Sequence, residues 1–118
     1  DGSDSADQAL RALYPYDDGE ALDLIDDAAL NGDFNEMLDI RDRLARLGER
    51  EALLKQRIQQ RMGDAARAYF IEGIVSWKRS KDSTVLDTET LLKAQPSLLQ
   101  QYPKHRAGSR RFLVKSNS

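Results

Sequence analysis

The sequence has no cysteine, which rules out a disulfide framework and any thiolate metal site. A single histidine, His105, supports neither a His-based metal centre nor a Ser-His-Asp triad, and it reads as one more donor in a basic loop. No apolar run approaches the ~18 residues of a membrane span, and no signal-peptide pattern opens the chain. No Gly-rich phosphate loop, internal repeat or low-complexity run is present. Three Phe, four Tyr and one Trp in 118 residues supply little material for a core. The chain opens on Asp1 without Met and ends on the polar Ser116 to Ser118, so we expect it to be a segment of something longer.

Charge is abundant but unevenly placed. The net charge is −2, yet residues 1–63 carry eight Lys and Arg against fifteen Asp and Glu, a balance of −7. Residues 64–118 carry ten against five, a balance of +5. Only the second half has a balance that suits nucleic acid.

The strongest pattern is the stretch from Met37 to Met62. Met37, Ile40, Leu44, Leu47, Leu54 and Ile58 recur at steps of three and four, a narrow apolar seam along a helix, broken only by Glu51. Asn31-Gly32-Asp33 reads as a break and an N-cap, with Glu36 completing a capping box, so a helix is expected over residues 33–62. Gly63 is the expected stop. Gly48 leaves two readings open, one continuous helix or a hairpin folding at that point. The helix formers Arg46, Leu47, Glu49 and Arg50 around it favour continuity. Such a seam needs a cover, supplied by a second subunit or by Leu22, Leu24, Ile25, Leu30 and Phe34 of the preceding segment.

Before the helix, Asp4 or Ser5 is expected to cap a short helix stopped by Pro15, and residues 14–20 to form a turn. Asp17, Asp18 and Glu20 lack the spacing of a calcium loop and read as a solvated turn. Ala21 to Ile25 is an extended piece or a helix start. After Gly63 the period shortens. Residues 69–71 and 74–81 read as a β-hairpin turning at Glu72-Gly73, with Val75 and Trp77 on one face. Asp87 starts a short helix, Pro96 interrupts it, and a further helical turn ends before Pro103. Arg110 to Lys115 alternates as a last strand, with Phe112 and Val114 inward. The expected fold is α+β: residues 1–32 a turn-rich segment, 33–63 a long helix, and 64–118 a small basic β-β-α-β unit. Trp77 and Phe112 are expected to anchor its core.

Lys78, Arg79, Lys81, Lys104, Arg106, Arg110, Arg111 and Lys115 would gather on one surface if the strands pair. That is the clustering phosphate contact needs, and Trp77 could alternatively stack on a base.

Residues 75–81 (VSWKRSK), 86–102 (LDTETLLKAQPSLLQQY) and 109–115 (SRRFLVK), with Met62-Gly63-Asp64-Ala65, resemble the C-terminal end of phage-type exonucleases of the YqaJ viral recombinase family. The opening DGSDSADQALRALYP is similar to the segment that follows their nuclease core. The resemblance implies a restriction-endonuclease-like parent that cleaves DNA with Mg²⁺ during phage recombination, in the cytoplasm of a bacterial host or encoded by a prophage. That centre needs a Glu-x-Lys tripeptide, and none exists here, so no catalytic or metal-binding residue is carried over. The chain is then expected to be a non-catalytic accessory region without a cofactor of its own. Its expected partners are DNA, the parent nuclease domain and a second copy through the long helix, with no membrane. The alternative is a coiled-coil-like protein-interaction module with no DNA contact.

Overall fold

The computed structural model describes residues 2–117. It is α+β, with a long helix, one two-stranded antiparallel sheet and three short helices. By contacts the chain divides into two units, the first Asp1–Asp23 with Val85–Ser118 and the second Leu24–Thr84. The hairpin expected to join the C-terminal segment therefore groups with the long helix.

In the first unit, α1 spans Asp4–Leu13. Its cap is Ser3, one residue before the expected position, whose hydroxyl accepts from the Ala6 N–H at 3.2 Å. Asp4 and Asp7 in the first turn and Arg11 in the last complement the helix dipole. Pro15 then prevents continuation. In the turn beyond, the Asp17 carboxylate accepts from the Gly19 N–H and that of Asp18 from the Glu20 N–H, each at 2.9 Å. Gly19 sits at φ 75°, a backbone that favours glycine.

Helix α2 spans Ala28–Met62, 35 residues or ~52 Å at 1.5 Å rise per residue. It starts five residues before the expected Asp33. Asp27 is the cap, accepting from the Leu30 N–H at 3.0 Å. Asn31, read as a breaker, lies inside the helix. Its side-chain amide donates to the carbonyls of Leu24, Ile25 and Asp27 at 2.8, 3.1 and 2.8 Å, so it ties down the turn before the helix. The helix runs without interruption through Gly48. Arg43–Asp39 and Arg46–Asp42 are exposed i,i+4 pairs at 3.0 and 3.1 Å, worth roughly 0.3–0.5 kcal/mol each. Gly63, at φ 56°, ends the helix as expected.

Strands β1 (Arg67–Phe70) and β2 (Gly73–Ser76) follow, with Ala68 opposite Val75 and Tyr69 opposite Ile74. The turn is Ile71-Glu72, one residue earlier than expected. The ladder closes with the Trp77 N–H donating to the Ala66 carbonyl at 2.8 Å. Lys78, Arg79 and Lys81 lie beyond it, so the second arm is shorter than the sequence pattern implied.

Back in the first unit, α3 spans Thr88–Ala94 and α4 Leu98–Gln101, separated by Pro96 as expected. Leu91 and Leu98 are half-buried and help line one shallow apolar depression. Residues 110–115 are not a strand, and the β-β-α-β order is corrected to β-β-α-α. A strand needs a ladder partner. The only sheet among the described residues groups with α2, whereas this segment groups with α1 and α3. Phe112, expected as a core anchor, is 79% exposed.

No residue is fully buried among those described. The chain exposes 12175 Å², against about 6,500 Å² for a compact monomer of its mass.

A methyl group at position 48 would meet nothing within 4 Å. Gly48→Ala is therefore expected to stabilise α2 by roughly 1 kcal/mol, and Gly63→Ala to destabilise it because of its positive φ. Thermal melts followed by circular dichroism check both, and a loss on Gly48→Ala would mean the helix bends there. At α3 the cap is Asp87, whose carboxylate accepts from the Thr90 hydroxyl at 2.7 Å and the Thr90 N–H at 3.1 Å. Those bonds hold its pKa below the ordinary carboxylate value. The stabilisation is present above the unfolded pKa and is lost as pH falls through the lowered one. Asp87→Asn should flatten the acid limb of α3 amide protection, read by NMR.

Candidate docking face and nucleic-acid interface

The seam of α2 meets the hairpin at its C-terminal end. Ile58 is half-buried and lines two depressions under the hairpin, one of about 400 Å³ with Leu54, Val75 and Trp77, the other of about 510 Å³ along β1. Trp77 is 47% exposed, so it leans on the helix end without being enclosed. Met37 is half-buried, but Ile40, Leu44 and Leu47 stand out, the last two 62% and 65% exposed. Leu54 is more sheltered than these. Leu24 and Leu30, offered by the sequence as cover, are themselves exposed, as is Phe34.

The eight basic residues are divided between the units. Lys78, Arg79 and Lys81 belong to the α2 unit, and Lys104, Arg106, Arg110, Arg111 and Lys115 to the other. The strand pairing that was to gather them is not present. Arg79 is paired with Asp82 at 2.9 Å. Arg110 donates through Nη1 to the Tyr14 carbonyl at 3.0 Å, tying the C-terminal segment to the turn after α1. Arg110 and Arg111 share a depression of about 420 Å³ with Asp17, whose carboxylate offsets part of their charge. His105 is exposed in the loop between.

The Mg²⁺ implied by the resemblance finds no donor set. Among the described residues no three His, Cys, Asp or Glu side chains gather, and Asp17 and Asp18 already accept backbone N–H groups. Among the described residues no helix is long and apolar enough to cross a membrane.

The structure brings together a different basic set. Arg57, Arg61 and Arg67 line the larger depression with Tyr69 and Phe70. Arg57 and Arg61 sit near the C-terminus of α2, where their charge also complements the helix dipole, and Tyr69 lies on β1. The available signal was two Arg one turn apart, a Gly stop, then Arg-x-Tyr on a strand. No family model, curated protein or solved structure matches the chain.

If Arg110 is a tether, Arg110→Ala should raise amide exchange around residues 14–19 and 109–113, while Arg111→Ala leaves it unchanged. Exchange mass spectrometry distinguishes them, and equal effects would deny the tether.

Proposed function

We propose that this chain is a non-catalytic accessory module of a phage-type DNA exonuclease or recombinase. Its main task is to arrange subunits, and it works in the host cytoplasm beside a parent nuclease domain that carries the Mg²⁺ chemistry. The supporting observation is the seam along the uninterrupted α2, left exposed over Ile40, Leu44 and Leu47 in a chain with no fully buried residue among those described. A helix face of this kind is stable in water only when another apolar surface covers it.

The charges favour a second copy running antiparallel. Residues 28–45 of α2 carry two Arg against four Asp and Glu, a balance of −2. Residues 46–62 carry five Lys and Arg against two Glu, a balance of +3. A parallel, in-register pair sets like halves together and puts Glu51 against Glu51 of the second copy in the seam. An antiparallel pair centred between Ala45 and Arg46 sets opposite halves together. It places Leu44 across from Leu47, Met37 across from Leu54, and Glu51 next to Arg41 of the second copy.

A second reading, an interaction module with no DNA contact, is favoured by the engagement of Arg79 and Arg110 within the chain. Salt-dependent DNA binding separates the two.

Sedimentation equilibrium is expected to show a dimer of the 13.3 kDa chain. Leu44→Glu with Leu47→Glu should weaken it by at least 100-fold, since burying two unpaired charges costs several kcal/mol. A monomer at high micromolar concentration would refute the self-pairing.

A further inference from the structure

We propose that the depression between the last turns of α2 and strand β1 binds single-stranded nucleic acid, through Arg57, Arg61 and Arg67 on phosphates and Tyr69 on a base. The proposal rests on the DNA contact expected of such an accessory module, but assigns it to residues other than the basic C-terminal segment.

Local structure assembles the site. Arg57 and Arg61 are one turn apart and share a helix face. Gly63, at φ 56°, ends the helix and lets the chain double back, so that β1 lies along the turns that carry them. The depression of about 510 Å³ is then lined by the three Arg, by Tyr69 and Phe70, and by half-buried Ile58. No Asp or Glu lines it. Arg43, Arg46 and Arg79 each hold a carboxylate, whereas among the described residues Arg57, Arg61 and Arg67 hold none. The helix C-terminus opposes an anion with about half a negative charge, which three guanidinium groups outweigh.

The aromatic residues decide the class of ligand. Tyr69 is 74% exposed and Phe70 51%, beside cations and without an enclosing core. A duplex offers phosphates but keeps its base faces stacked. A single strand offers both, and stacking on an exposed ring beside guanidinium groups is how sequence-tolerant binders hold it.

The test is fluorescence anisotropy with a labelled 20-nucleotide oligo-dT and a duplex of equal length, using the full chain at several salt concentrations. Tyr69→Ala is expected to weaken single-strand binding about 10-fold and leave duplex binding unchanged, while Tyr69→Phe retains it. Arg57→Gln, Arg61→Gln and Arg67→Gln together should lower the salt slope by about 2. Should the triple variant lose helix content, the exposed Tyr69 pair still decides the matter. Loss of binding only with Arg110→Ala and Arg111→Ala overturns this site but preserves the DNA-binding reading. Absence of binding to either oligonucleotide near physiological salt overturns both.

Discussion

The seam of α2 is the constraint on which the rest depends. A 35-residue helix can be stable in water only if its apolar stripe is covered, and this chain covers one end of it. The hairpin does so because Gly63 ends the helix and reverses the chain, which sets Ala68 and Val75, a cross-strand pair, in half-buried positions near Ile58. Beyond Leu54 toward the N-terminus nothing in the α2 unit repeats this. Ile40, Leu44 and Leu47 therefore stand in water in the chain by itself.

The same doubling back produces the basic, aromatic depression. Among the described residues its cations hold no carboxylate, because the helix end that carries Arg57 and Arg61 has few acidic neighbours. Farther back, Asp39 and Asp42 lie one turn from Arg43 and Arg46 and engage them. On the proposed readings, the acidic half of α2 and its basic half have different tasks. One is matched within the helix and available for a second copy, and the other is left open to an anion. The first unit is held by weaker means, capped short helices and the Arg110 tether over 96 residues of sequence.

Legibility followed the range of the interaction. Features set by local chemistry were readable: the period of the seam, the Gly63 stop, the Asp87 cap and the Pro96 interruption all occur where the residues imply. Gly48 was readable in direction, since its neighbours are helix formers. The start of α2 was not, because Asn31 spends its amide on carbonyls four to seven residues back instead of ending a helix. The strand at residues 110–115 failed for a long-range reason. Alternation marks a segment able to pair, but pairing needs a partner edge, and the segment groups with another unit. For the site, the eight basic residues were chosen by composition, whereas proximity selected Arg57, Arg61 and Arg67. Only the fold of the chain at Gly63 reveals that proximity.

The direction of pairing along α2 is the central claim, and the absence of cysteine makes it directly measurable. Single spin labels at Asn35→Cys and Ala45→Cys lie off the seam, and each reports its distance to the same label in a second copy by pulsed electron resonance. Antiparallel pairing centred between Ala45 and Arg46 predicts a short distance at position 45. At position 35 it predicts about 30 Å or more, from 21 residues at 1.5 Å rise. Short distances at both positions would mean parallel pairing, and no dipolar signal at either would mean that a second copy does not cover the seam.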